Sequence, residues 1–461
     1  RKPKCPVMYH FGDRTILSYT VGATSLYFNA LRAEGRTAEA DEAVEFDRQN
    51  VRGRSFGAIV NIAGKRIDLL KDVDIETFDS PELARSNVRY AKVTSGSATF
   101  DQAANTISLN SAVAIDLSSR SKNGGDQSTD IRSDRASLKF SGDEAKTAQL
   151  KIFELFDNVR ITTTEDGGKP TNIEAGYALY DKDVDRFELK RGARVVTVAG
   201  EKETDIRAGE IAYERAAGKA ALSGSSEILH GADVLKGDNI FADLFANGKV
   251  KEAIVRGNAS VRQTTPERTT VVTAPELNAL FADSGQLRSA NAVGQSSVDI
   301  VPQGASEYTR VLTSAARGIG ILFKGEGLVE SMRSDGRTTI QLNAPTGDPR
   351  SANKRITADA IKATFNDNGK DMQKAEAAGN AELFVEPLTA DVKNYLTTVN
   401  APRFDCEFFP TGNNVKTCVA GKNAKATRNP TVKSDRRGTQ TLTAVEMTAH
   451  FDPADNDIER M

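Results

Sequence analysis

The stretch DNIFADLFANGKVKEAIVRGNASV, residues 238–261, decides the fold, because the chain says nearly the same thing again: PELNALFADSGQLRSANAVGQSSV at 275–298 and ADAIKATFNDNGKDMQKAEAAGNAEL at 358–383. Each copy has an alternating apolar run ending in Phe or Leu and a polar turn closing on Gly. A second strand-like run follows, then another Gly and a third short alternation. Counting back four, six and eight residues from the Gly of each turn gives Leu244, Ala242 and Ile240, then Phe281, Ala279 and Leu277. The same offsets give Phe323, Ile321 and Ile319, then Phe365, Ala363 and Ile361, then Phe408, Cys406 and Phe404. A spacing of two on one face is the mark of a half-buried strand. The intervening Asp243, Asn278, Lys362 and Thr364 are polar, so one face meets an apolar interior and the other meets water.

Looser copies extend outward from this core: SATFDQAANTISLNSAVAI from Ser97, YALYDKDVDRFELKRGARVV from Tyr177 and GEIAYERAAGKAALSGSSEI from Gly209. Residues 38–75 keep the alternation with a different turn. Two-strand units at a period of roughly 25–45 residues imply a ladder of antiparallel strands folded over itself, built by repetition. The segments SSRSKNGGDQSTDIRSD and NAPTGDPRSANKR read as surface loops that interrupt it.

Composition agrees. The chain has 461 residues, 39% hydrophobic and 27% charged, with no Trp, 6% aromatic residues and 36 Gly, which favours small and β-branched packing over helix-to-helix packing. Sixty-one basic against sixty-three acidic residues leave a net charge of -2, with no concentrated basic face to suggest nucleic acid. No apolar run reaches the roughly 18 residues that span a bilayer, and the start lacks the features of a signal peptide, so an anchor would lie before Arg1. Of Cys5, Cys406 and Cys418, the last two flank the turn EFFPTGNNVK. Two packed thiols and a cross-strand disulfide both fit, the disulfide requiring a bulge that brings Cys418 to the apolar face.

Enzyme motifs are weak. GRSFG at 53–57 matches the nucleophile elbow around Ser55, but a strand-like run follows where a helix is required, so a turn is the better reading. His10, His230 and His450 are isolated, and DKDVD at 181–185 has Arg186 and Gly192 where a calcium loop needs Gly and Glu. The latter reads as an acidic hairpin turn. Neither a catalytic residue, a metal nor a cofactor is expected.

The pattern of an alternating strand ending in Phe or Tyr, an Asp/Asn-rich turn with Gly, a strand, Gly-Asn and a further strand resembles the OstA-like family of lipopolysaccharide transport, which includes LptA, LptC and the periplasmic domain of LptD. The residues that carry the likeness are Ala242, Asn247, Gly248, Val250, Gly257, Asn258 and Val261, repeated by Ala358, Phe365, Asn366, Gly369, Gly379 and Asn380. The resemblance runs from about Ala38 to Met461. It implies an all-β, elongated jellyroll with an open apolar groove for lipopolysaccharide acyl chains, with residues 1–20 unassigned, 21–116 similar to LptC and 117–461 similar to LptA. It further implies a periplasmic bridge from the inner to the outer membrane, with partners being the inner-membrane transporter, an LptD-like outer-membrane protein or further copies of the chain, joined through edge strands. The groove would be lined by Ile240, Leu244, Leu277, Phe281, Ile319, Phe323, Ile361 and Phe365.

Repetition suits that task, since exposing a lipid chain to water costs roughly 0.8 kcal/mol per methylene and near-identical units offer near-identical sites along a path. The competing class is a structural or adhesive β-repeat protein with a closed core, since alternating strands ordinarily pack on themselves. The residues by themselves favour that closed core, the recurrent Ala in the middle of the apolar strand being the one feature, a seam of small side chains, that suits a groove lining instead. A carbohydrate-active sandwich ranks last for want of Trp. At the C-terminus, TLTAVEMTAHFDPADNDIERM begins a unit without a full return strand, which predicts an edge near 445–461 that takes its missing strand either from another chain or from a continuation of the native chain beyond Met461.

Overall fold

The computed structural model describes residues 7–11, 14–21, 24–28, 32–34, 37–48, 50–78, 88–120, 124–141, 150–165, 167–304, 306–346, 351–391, 393–432, 437–452 and 458–460. The chain is all-β, with 78% strand and 1% helix. Among the described residues the helical part is the 3-10 turn Gly325–Gly327. Cys5 and part of the unassigned N-terminal segment lie outside the described residues, as does the side chain of His10.

Two compact units divide the chain, residues 1–224 and 225–461. In the second, hairpins follow one another as the repeat predicts. The strand Asp233–Leu244 pairs antiparallel with Val250–Thr264, which pairs with Arg268–Phe281. Between the first two, the turn closes because Gly248 takes φ +81°, a left-handed conformation with open space where a Cβ would sit, and its N–H reaches the Phe245 carbonyl at 2.8 Å.

What the sequence presents as a second and a third strand is one strand with a bend. Within Val250–Thr264 the register shifts between Arg256 and Ala259, where Gly257 and Asn258 have φ of +72° and +49°. The Asn258 amide donates to the Asp238 carboxylate at 3.2 Å. The second Gly-Asn pair, Gly379 and Asn380, makes the same bend between Ala378 and Ala381, with Asn380 donating to Asp359 at 2.8 Å. The Gly-Asn signature is therefore a bulge that turns a long strand from one wall into another.

In the middle of the unit the bend ends the strand outright. Leu287–Val293 and Ser296–Pro302 both pair with Arg268–Phe281. On one side the ladder continues through Gly318–Lys324, Leu328–Asp335 and Ala360–Phe365 to Met372–Pro387. On the other it runs through Arg310–Ala315, Thr338–Asn343 and Ala352–Ala358 to that same strand. The order returns to its start, so these ten strands close into a barrel, with further strands paired outside it. Two long bent strands bridge two walls of four half-strands each.

The first unit is built the same way. Thr106–Arg120, Asp126–Phe140, Leu150–Glu165, Thr171–Asp181, Arg186–Ala199 and Lys202–Glu214 form a ladder, with shifts between Asn110 and Val113, Phe156 and Val159, and Lys190 and Ala193. Its core includes Leu69, Leu109, Val113, Leu155 and Val159. The DKDVD segment is a hairpin turn between Thr171–Asp181 and Arg186–Ala199.

Most of SSRSKNGGDQSTDIRSD is strand, since Thr106–Arg120 and Asp126–Phe140 take up all but its centre. Its polar residues suit a strand whose outer face is solvated, and Ile131 and Ser133 supply the buried positions. Ser55 is not in a flexible turn but inside the strand Val51–Asn61, 5% exposed, at a shift between Arg54 and Phe56. Its hydroxyl donates to the Gly57 carbonyl at 3.2 Å.

Candidate functional site

Side-chain parity and strand register arrange the apolar residues of the second unit in rows that cross the strands. Adjacent strands lie about 4.8 Å apart and alternate residues on one strand about 6.7 Å apart, so rows and columns form a lattice. The row nearest the bend runs Ile240, Val255, Leu277, Ala292, Ile319, Ser334, Ile361, Ala377, Phe404, Ala420 and Met447, each opposite the next in register or bonded to it. All eleven are buried. Facing them from the second wall is a buried row of small residues: Ala259, Ala274, Ser296, Ala315, Thr338, Ala358, Ala381, Ala401 and Ala424. Short side chains there let the two walls approach at the bend, and toward the C-terminal end the facing rows belong to one core cluster.

Two residues farther from the bend, the first wall carries Ala242, Ala253, Ala279, Ala290, Ile321, Met332, Ala363, Ala375, Cys406, Cys418 and Ala449. These are half-buried, apart from buried Ala363. Outermost are the large side chains Leu244, Val250, Phe281, Leu287, Phe323, Val329, Phe365, Met372, Phe408 and Val415, all half-buried. Burial thus falls from the bend to the turns while side-chain size passes from large through small to large. The second wall is graded as well: beyond its buried small row stand the half-buried Val261, Val272, Val298, Ile340, Ile356, Leu383 and Val399.

Of the eight residues expected to line a groove, Ile240, Leu277, Ile319 and Ile361 are core, between 2% and 9% exposed, while Leu244, Phe281, Phe323 and Phe365 form the half-buried outer row. The alternation separated inside from outside but could not grade depth, because distance from the bend is set by where the bulge falls. Asp243, Asn278, Lys362 and Thr364 take the opposite parity, as expected. That outer face is not wholly polar: Phe241, Leu280 and Leu322 lie on it exposed, with the Arg256 guanidinium 5.7 Å from the Phe241 ring.

Cys406 and Cys418 stand opposite each other in the small row and are joined by a disulfide. The bulge that this requires lies between the Glu407 and Phe408 positions, where Lys416 is the extra residue that brings Cys418 to the apolar side. The hairpin turns at the outer row are tied to one another. Asn247 Nδ2 donates to the Asp283 carbonyl at 3.1 Å and Lys249 Nζ to the Ser284 carbonyl at 2.7 Å. Asn366 Nδ2 reaches the Pro410 carbonyl at 3.1 Å, and Lys324 pairs with Asp367 at 2.8 Å. The turn asparagines therefore hold the edge of the apolar face in line.

Charges collect on the other face. Arg256 pairs with Glu276 at 2.8 Å and holds its carboxyl below the usual range, while Arg310–Asp299 and Arg403–Asp405 each lie at 2.7 Å. His230 is exposed at the end of Lys219–His230, and His450 lies 3.4 Å from the Thr417 hydroxyl. Among the described residues no cluster of His, Cys, Asp and Glu has the geometry of a metal site. No protein-family model matches the chain, and no curated protein matches its sequence.

Proposed function

We propose that the inner face of the second unit is an apolar groove of a β-jellyroll that binds the acyl chains of lipopolysaccharide or a related glycolipid. The chain then serves as a periplasmic lipid-transport bridge between the inner and outer membranes. The observation that carries this is the half-buried row Leu244, Phe281, Phe323 and Phe365 standing beyond a row of mostly alanines. Large apolar side chains left half-covered outside a row of small ones leave surface for an apolar ligand; a core filled by its own side chains would place them inward. A row repeated on every strand presents similar surface at each step, so a lipid passes along it without a deep minimum. Binding of this kind needs no catalytic residue.

The edge Gln440–Phe451 supports the proposed partners. Its pairing opposite Val415–Pro430 is with the short Ile458–Arg460 alone, at His450 and Phe451. Among the described residues, the remainder of that edge carries no strand, so a transporter component, an LptD-like protein or another copy could add one.

A photoactivatable side chain placed at Phe281 or Phe323 is expected to capture lipopolysaccharide, and one at Asn278 or Lys362 is not. Capture from the latter pair alone would place the lipid on the wrong face and overturn the proposal. Absence of capture at all four would favour the self-filled core, a reading to which the complete burial of the row nearest the bend lends support.

A further inference from the structure

We infer that the second wall recognises the negative charge of its lipid, through a phosphate-binding margin formed by Arg428 on the ring of Tyr395. This rests on the reading of the inner face as an acyl-chain site and specifies the headgroup. On the second wall, from Arg268–Phe281 to Gln440–Phe451, the positions that share the inward parity include three charged residues: Arg268, Lys354 and Arg428. All are basic, and no carboxylate takes that parity over those strands. The opposite face instead interleaves both signs, as Arg310 with Asp299 and Arg355 with Glu382.

Arg428 differs from those paired arginines. Its guanidinium lies 4.4 Å from the centroid of the Tyr395 ring, Arg437 lies 5.9 Å from the same ring, and no carboxylate among the described residues pairs with Arg428. The Arg428 guanidinium, laid on the tyrosine, is held in orientation while its donors stay unspent, the state suited to forked hydrogen bonding of a phosphate. Along its strand Arg428 follows Ala424 and Ala426 on the inward side, both buried. A chain resting against that apolar surface would carry its headgroup to the arginine about one to two side-chain spacings out. Lys354 repeats only the ring contact on another strand: its Nζ lies 5.6 Å from the Tyr308 ring and donates to the Tyr308 hydroxyl at 3.1 Å, but it also pairs with Glu307 at 3.7 Å, so that Arg428 rather than Lys354 is the cation free of a carboxylate among the described residues. The occupant this fits is a lipid with a phosphate at the head of its acyl chains.

Isothermal titration of the full chain tests it with dodecyl phosphate, dodecyl maltoside and inorganic phosphate, each alkyl compound kept below its micelle concentration. The expected result is that Arg428→Gln weakens dodecyl phosphate binding about tenfold, within the range of a charge-assisted hydrogen bond, and leaves dodecyl maltoside unchanged. Tyr395→Leu, which keeps apolar area but removes the ring, is expected to move in the same direction. Equal loss for both alkyl compounds, or no loss for either, overturns the charge-reading margin while leaving the acyl-chain site in place. Inorganic phosphate binding as tightly as dodecyl phosphate overturns the lipid source. Failure of the native chain to bind either alkyl compound overturns the acyl-chain reading itself.

Discussion

Asp205, 6% exposed on the strand Lys202–Glu214, accepts from Arg194 Nε at 3.0 Å and from Arg207 Nη2 at 2.6 Å. The bond from Arg194 is the main reason that its carboxyl is held below the ordinary range, against the opposing effect of burial. A depressed folded value means that the ion form stabilises the fold at any pH above the unfolded value of about 3.9, and that this contribution is lost as pH falls through the folded value. Asp205→Asn should therefore cost about 1 kcal/mol in urea unfolding at pH 7, solvent screening of the two arginines considered. The difference from the native chain should narrow as pH falls from the unfolded value through the depressed folded value. A difference that stays constant with pH would assign the effect to shape instead of charge. Glycine gives a second residue-scale contrast. A Cβ at Gly257 would lie 2.2 Å from the Asp238 carboxylate, whereas one at Gly248 meets open space, although both have positive φ. Gly248→Ala should cost about 1 kcal/mol and Gly257→Ala clearly more, read as a shift in unfolding midpoint.

At the scale of the strand, Ala360–Phe365 carries the graded burial in three inward residues: Ile361 at 4% exposure, Ala363 at 5% and the half-buried Phe365. Ile361→Ala should destabilise by about 2–5 kcal/mol, as cavities in packed cores do. Phe365→Ala should cost well under that and, on the proposed function, should reduce lipid capture. If Phe365→Ala destabilises as much as Ile361→Ala, the outer row is core and the groove is absent. In the hairpin of Tyr395–Phe408 and Val415–Pro430, the disulfide occupies a cross-strand pair in a row that is mostly alanine elsewhere. Replacing both cysteines by alanine should fit that row without a clash. It should lower unfolding stability by about 2–3 kcal/mol through the freed loop, leaving lipid binding intact. Loss of binding on this replacement would give the sulfurs a part in the site.

At the scale of the whole molecule, the strand Gln440–Phe451 pairs with Val415–Pro430 on one side and, among the described residues, only with Ile458–Arg460 on the other. Val445 is 77% exposed and Leu442 is 50% exposed on Gln440–Phe451, whereas Met447 on that strand is 7% exposed and belongs to the core. Leu442→Lys together with Val445→Lys should suppress self-association measured by light scattering, since lysines on an edge oppose strand addition, while the monomer keeps its circular dichroism. Association undiminished by both would locate the joint at another surface.

The sequence by itself determined the all-β class, the place of the glycine-closed turns and the side of most strands that faces inward, though not the face of Cys418, which a bulge at Lys416 decides. Those depend on a period of two and on glycine-closed turns such as that at Gly248, signals carried by neighbouring residues. It did not show that Gly257-Asn258 and Gly379-Asn380 bend one strand instead of separating two, because a bulge and a short loop share the same residues. Nor could it separate Ile361 from Phe365, which alternation treats alike. Their burial differs because the bend brings Ile361 against the small residues of the facing wall, contacts between segments that are distant along the chain. Arg428 is hidden for the same reason: it is one of sixty-one basic residues until register sets it on the inward side, on the ring of Tyr395. Parity is local, whereas depth and the company a charge keeps are decided by the tertiary fold.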